Sequence, residues 1–264
     1  MLVLIGVAAF AVGIMLPAMG KARETANRVK CANNLKQIGL AIQLYANDNR
    51  GNYPRTKYEV ADTLIPDVSN AGFNSSDPWG ANTNVPANCV PSSLFLLLRT
   101  EDITAAVFNC PSSGTQPDSF GGGNATAIQR CNFTDLKANL SYSYANPYPD
   151  TAAAGKGYKL TTAMDPGFVV AGDLNPGTAN GANVLAVTTS SSAVQMRQAN
   201  SHNHGQDGQN FVFADGHVEF DADPFSGLDR DNVYCRGKGG PDAQKTDIVN
   251  SPKDAADSVL LPTE

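Results

Sequence analysis

The first twenty residues, Met1 to Gly20, carry no charged side chain, and the charged stretch that begins at Lys21 follows them without a turn. That junction limits what the chain can become. A secretory signal needs a positive n-region, a short apolar core and a small-residue cleavage site. Here no Lys or Arg precedes the apolar run, and the run is long for such a core. A spanning helix needs roughly 20 apolar residues, which Met1 to Met19 nearly supplies. An uncleaved apolar helix is therefore expected over residues 1–21.

Periodicity carries that helix onward. From Ala22 the apolar positions are Ala22, Ala26, Val29, Ala32, Leu35, Ile38, Ile42 and Tyr45. Steps of three or four place them on one stripe, opposite Arg23, Glu24, Asn27, Lys30, Asn34 and Gln37. Asn47-Asp48-Asn49-Arg50-Gly51 supplies stop signals and Pro54 forbids continuation. The spacing predicts one helix of about 70 Å at 1.5 Å per residue. Its first half, with Leu2, Val3, Ile5, Val7, Phe10, Val12, Ile14 and Leu16, is apolar all round. Its second half, residues 22–50, has one apolar face. Pro17 lacks an N–H and crowds the carbonyl of Gly13. With Gly13 and Gly20 flanking it, the stretch from Gly13 to Gly20 is expected to be kinked or locally unwound.

The remaining residues, 51–264, are long enough to bury a core of their own. Only 17% of the chain is charged and the net charge is −6, which fits a loop-rich, neutral polar surface. Beyond Lys36 the basic residues are scattered and form no stripe with aromatics, so nucleic acid is not expected as a partner. The five cysteines contain no CxxC pair, which argues against a zinc ribbon. An odd count leaves at least one thiol unpaired. In an exported protein, disulfides are expected among Cys89, Cys110, Cys131 and Cys235, with three possible double pairings.

Ser92 to Ile103 reads as a short buried helix capped by Ser92 or Ser93. Leu140 to Asn146 alternates and is aromatic, which suits a strand. Gly167 to Asp173 is a short apolar run that suits a central strand, and Asn183 to Thr189 is a weaker strand. In Phe211–Phe220, Asp215-Gly216 reads as the two-residue loop of a type I′ hairpin. That register pairs Phe213 with Val218 and Phe211 with Phe220, and puts all four on one face. The expected fold class is α+β, a long helix packed on an antiparallel sheet with a loop-rich head.

The run Leu16 to Tyr45, together with Phe108 to Ser113 and Asn210 to Val218, resembles type IV pilin-like proteins. More narrowly, it resembles the prepilin-type family with a C-terminal His-x9-Asp-Gly motif. Here that motif would be His204 with Asp215 and Gly216, followed by His217, although ten residues rather than nine intervene. The resemblance implies a subunit of a pilus-like or pseudopilus-like filament, polymerising with copies of itself through the helix from Leu2 to Pro17. Its precursor would sit in the inner membrane with the pilus or secretion assembly machinery before reaching the bacterial cell surface. Aligning Pro17 with the family's helix proline puts Met1 a few residues inside the usual mature start. No acidic residue precedes Glu24, where such pilins carry a glutamate near the mature N-terminus. That departure suits the alternative, a non-polymerising, membrane-anchored minor pseudopilin or envelope binding module.

Two metal sites can be drawn. His202, His204 and His217 fall close together with Asp207 nearby, a set that could hold zinc, against the plainer reading of loop hydrogen bonding around the Asp215 turn. Asp221, Asp223, Asp229 and Asp231 offer hard oxygen ligands for Ca²⁺. They lack EF-hand spacing, and a solvated acidic loop is the plainer reading, although calcium near the C-terminal loops is also what the pseudopilin resemblance implies. The glycine cluster Gly121–Gly123 does not precede a Gly-Lys helix start, so it reads as a loop and not a phosphate cradle. No spacing supports a nucleophile with its base, and the chain is not expected to be an enzyme.

Overall fold

The structure, a computed structural model, describes residues 2–80, 83–177 and 181–264, with the helical backbone alone over 2–18 and 181–182. Helix α1 (Leu2–Asp48) runs unbroken for 47 residues. The unwinding expected between Gly13 and Gly20 does not interrupt it, because Pro17 removes a single backbone donor and the helical bonds on either side carry the chain on. The side chains of the expected polymerisation segment, Leu2 to Leu16, lie outside the described residues. Among the described residues no helix is long and apolar enough to cross a membrane.

From Met19 to Arg23 every side chain of α1 is exposed. Burial is complete first at Cys31 and continues through Asn34, Leu35, Ile38, Ala41, Ile42, Tyr45 and Ala46. Full burial of side chains such as Leu35, Ile38 and Ile42 stabilises by about 1.5–3 kcal/mol each. The inward stripe has the expected period but begins later and is rotated. Ala22, Ala26 and Val29 are exposed, while Glu24, Asn27 and Arg28 are half-buried. The reason is that this upper contact is made by ion pairs rather than by apolar packing. The helix stops where its sequence signals say, in a Schellman arrangement: Arg50 takes a left-handed φ of 57° and the Gly51 N–H donates to Ala46 O at 2.8 Å.

Five strands form one antiparallel sheet. They are β1 (Tyr142–Ala145), β2 (Val169–Asp173), β3 (Gln209–Phe213), β4 (Val218–Asp221) and β5 (Leu260–Leu261). The order is β4-β3-β2-β1-β5, so the apolar run ending at Asp173 is the central strand, as its pattern predicts. The chain is therefore α+β, a long helix on an antiparallel sheet with a loop-rich head. Helix α2 (Val90–Thr100) starts earlier than its serines suggest, with Cys89 at the N-cap and Pro91 in its first turn. Ser93 lies inside it, donating to Cys89 O at 3.0 Å. The segment read as a weak strand from Asn183 is instead a short helix, Gly181–Ala186, in keeping with the helix preference of Leu185 and Ala186.

The β3–β4 hairpin differs from expectation by one residue. Val212 pairs with Val218, Phe211 with Glu219 and Asn210 with Phe220. The Gly216 N–H donates to Phe213 O at 2.8 Å and the Phe213 N–H to His217 O at 3.0 Å. Gly216 alone in the turn has a positive φ, 84°. This is a three-residue loop, a tight turn closed by a glycine bulge, which competes with the two-residue type I′ turn for the same Asp-Gly sequence. A one-residue slip moves side chains to the other face. Accordingly Val212 packs on Gly39 of α1 and Phe220 lies 4.5 Å beneath the Arg28 guanidinium. Phe211 faces the opposite side, 5.9 Å from the Tyr234 ring.

Gly39 is where α1 comes closest to the sheet: a Cβ there would stand 2.7 Å from Val212 Cγ2. Gly39→Ala is expected to destabilise the chain by about 1–3 kcal/mol through overpacking, despite alanine's better helix propensity. Chemical denaturation measures this. Adding Val212→Ala is expected to recover part of the loss, and a neutral single substitution would refute the close seating.

Candidate functional site

The helix-facing side of the sheet is apolar at one end and polar at the other. Tyr142 pairs with Asp173, Asn210 pairs with Phe220, and the Asn210 N–H donates to Asp173 Oδ2 at 2.7 Å. These four residues thus form one cross-strand row beneath Cys31 and Arg28. Over the row lies the loop before β3, with Asn203 and His204, and the segment after Phe108, with Cys110 and Ser112.

His204 is at the centre, its side chain fully enclosed. Its Nδ1 stands 2.6 Å from Glu24 Oε1. A carboxylate only accepts, so Nδ1 carries the proton and donates. Ser112 Oγ donates to Glu24 Oε2 at 2.9 Å. Partial burial raises the Glu24 carboxyl, but the bonds from His204 and Ser112 and the charges of His204 and Arg28 outweigh it and hold the group below its ordinary value. On the inner side, His204 Nε2 lies 3.6 Å from Cys110 Sγ, 3.5 Å from Asp173 Oδ2 and 3.3 Å from Asn210 Nδ2. His204 has a left-handed φ of 59°, a conformation uncommon for a side chain of this size.

Asp173 has no exposed surface. Burial pushes its carboxyl up, opposed by His204 and by the donors Asn210 and Asn203. The Asn203 Nδ2 donates to Asp173 Oδ1 at 2.9 Å. Cys31 and Cys110 are joined as a disulfide, with Cα atoms 5.3 Å apart, and the Tyr142 hydroxyl donates to Cys31 Sγ at 3.3 Å. The bond spans a sequence separation of 79, worth about 4–5 kcal/mol in the chain-entropy account. The pairing corrects the sequence expectation, which left out Cys31. Cys89, Cys131 and Cys235 are buried thiols. Burial pushes Cys89 up to about 12, Cys131 up to about 11 and Cys235 well above the ordinary thiol range, so none is a thiolate at neutral pH.

Cys31, Cys110, Asp173 and His204 place their ligand atoms within 4.8 Å of one another, the grouping of this kind among the described residues. It contains one histidine of the three expected to act together. His202 bonds to Glu264. His217 stacks on Phe213 with ring centroids 4.2 Å apart, 2.5 Å from Asp215 Oδ1. Asp207 is held at 2.9 Å by both Arg28 and Arg197. Two ends of the resembled motif hold α1: His204 takes Glu24, while the Asp215-Gly216 turn receives Lys36 Nζ on Gly216 O at 2.6 Å and Gln43 Nε2 on Ala214 O at 3.3 Å. Asp215 is lowered by the His217 backbone N–H and then by its ring. Sequence reasoning missed Cys31, Glu24 and Asp173 as site residues. An i, i+7 pair, Glu24 and Cys31, on the half-buried side of the helix was the available signal.

The acidic loop is not gathered into one site. Asp221 accepts from Ser226 Oγ at 2.6 Å and Asp223 from the Phe225 N–H at 2.9 Å. Asp229 sits at a left-handed φ of 55°, and Asp231 accepts from the Ser258 N–H at 3.2 Å. Asp221 and Asp223 serve their own loop while Asp231 reaches across to Ser258, and among the described residues the four carboxylates form no common centre. Asp231 is 4% exposed. Burial, then the neighbouring Asp257 carboxylate, pushes it up to about 9 against the pull of Ser258 and Lys238. An unfolded Asp titrates near about 3.9. Between those values the folded chain binds more protons than the unfolded one, so stability is full at the acid end and falls as pH rises through the window. Thermal unfolding followed from about pH 5 to about pH 9 is expected to show that fall, flattened in Asp231→Asn. Parallel profiles for the two proteins would contradict the assignment.

Residues 20–66 match the family model described as "Protein of unknown function (DUF1559)". No curated protein matches the chain, and no solved structure matches it. The matched stretch includes Glu24, Arg28, Cys31, Lys36 and Gln43, the helix side of the contacts described above. Over its amphipathic helix and the first loop of its head, the chain is similar to that family.

Proposed function

We propose that this chain is a structural, non-catalytic subunit of a type IV pilus-like or pseudopilus-like extracellular filament, polymerising with copies of itself through the apolar half of α1. The observation that carries this reading is the helix itself. It is 47 residues long, and among its described side chains Met19 to Arg23 are exposed and seating on the head begins at Glu24. A helix end that is apolar all round is buried in lipid or against other helices. A repeated contact between identical subunits that does not close generates a fibre. The similarity of residues 20–66 to the DUF1559 family and the sequence resemblance to pilin-like proteins agree with it. The precursor would be held in the inner membrane with the assembly machinery, and the product would stand at the cell surface.

Electron microscopy of cells and of the purified chain tests this. Filaments are expected from the natural chain and none from Val7→Asp, in which a charge enters the apolar segment, while circular dichroism of the head is unchanged. Protein found solely as dispersed particles in detergent extracts would favour the non-polymerising, membrane-anchored pseudopilin instead.

A further inference from the structure

We propose that Cys31, Cys110, His204 and Asp173 are the four ligands of one Zn²⁺ ion, bound when the two cysteines are thiols, and that the disulfide is the metal-free form of the same site. The inference is independent of the filament reading.

Four chemically suitable side chains from four separate segments converge in the buried seam between α1 and the sheet. Cys31 comes from the helix, Cys110 from the segment after Phe108, Asp173 from the end of β2 and His204 from the loop before β3. A tetrahedral zinc with arms of about 2.0–2.3 Å has ligand–ligand edges of about 3.3–3.8 Å. The His204 Nε2–Cys110 Sγ distance is 3.6 Å and the His204 Nε2–Asp173 Oδ2 distance is 3.5 Å. Both match the length of such an edge.

The donors are also oriented for a cation. With Nδ1–H given to Glu24 at 2.6 Å, Nε2 is the ring atom turned inward. A carboxylate behind a histidine is the usual arrangement around a metal-bound imidazole. Asp173 Oδ2 lies 3.5 Å from His204 Nε2, and the Asn210 amide Nδ2 reaches both, at 3.2 and 3.3 Å, so the two atoms converge on one polar point that a cation would share. Asn203 and Asn210 fix the carboxylate, and the Tyr142 hydroxyl donates to Cys31 Sγ, where it would support a thiolate. The left-handed backbone at His204 is the strained feature that residues at functional sites often show. Two thiolates and an imidazole select zinc over calcium or magnesium. Four protein ligands with no open position make the site structural.

The two forms differ by a balanced exchange. A thiol reductant opens the Sγ–Sγ bond, supplying two electrons and two protons while it is oxidised to its own disulfide. Zn²⁺ then replaces the two thiol protons, which leave to solvent. Either form ties α1 to the head at the same point.

The test uses the full chain in detergent, reduced with a dithiol and exchanged into buffer containing Zn²⁺ or Co²⁺. Elemental analysis is expected to give one zinc per chain after gel filtration. Co²⁺ is expected to show the intense visible bands of a tetrahedral ion and a thiolate charge-transfer band. Cys110→Ser is expected to lose that charge-transfer intensity and the stoichiometric zinc. Glu24→Gln, a positioning change, is expected to retain the fold by circular dichroism and bind zinc about 10–100-fold more weakly in competition with a chromophoric chelator. A folded, reduced natural chain that keeps no zinc, or a weak six-coordinate cobalt spectrum, overturns the proposal. So does a disulfide that the dithiol cannot open without unfolding the chain.

Discussion

The seat of α1 on the sheet is the contact around which the head is arranged. Gly39 lets the helix backbone approach Val212, and that closeness sets the depth at which every other residue of the stripe is buried. Toward the C-terminal end the interface is apolar, with Leu35, Ile38 and Ile42 in the core. Toward the N-terminal end it becomes polar, because the facing sheet row carries Tyr142, Asp173 and Asn210 rather than aliphatic side chains. Buried polar groups are tolerated only when partnered, and here Asn34, Asn203, Asn210 and Ser112 supply the partners. The gradient from apolar to polar fixes the helix along its axis as well as around it.

Two loops far apart in sequence grip the same helix. His204 and Asp207 engage Glu24 and Arg28, while the hairpin turn at Gly216 receives Lys36 and Gln43. The strand β3 joins these grips, so the hairpin register and the His204 position are not independent. A slip of one residue in the hairpin would turn Val218 and Phe220 of β4 away from the face that carries Val212 and Asn210, and with them the ring beneath Arg28. This gives the Asp-Gly turn structural weight, because Lys36 and Gln43 of α1 both donate to it.

Much of the architecture was legible in the sequence, because periodicity and stop signals are local. The extent of α1, its end near Gly51 and the central position of β2 all follow from such signals. What was not legible depended on distant partners. The stripe was placed by counting apolar residues, so Glu24 and Asn34 were assigned to the solvent side, although His204 and Tyr142 draw them inward. Asp-Gly permits two hairpin loops that differ by one residue, and the close approach of Val212 to Gly39 fits the register observed. Cys31 and its partner Cys110 are 79 residues apart, a distance no spacing rule reaches. Asp173 carried no signal beyond closing an apolar run.

The position of the Cys31–Cys110 link has a mechanical consequence. Among the described side chains of α1, Cys31 is the first fully buried one met from the N-terminal end. A pull on that end would first strain the Glu24–His204 and Arg28–Asp207 pairs, which are weak and can re-form. Peeling then halts at a covalent bond before it reaches Leu35. The apolar interface behind is loaded in shear rather than opened like a zipper, so the head resists extraction along the helix axis far better than its noncovalent contacts alone would allow.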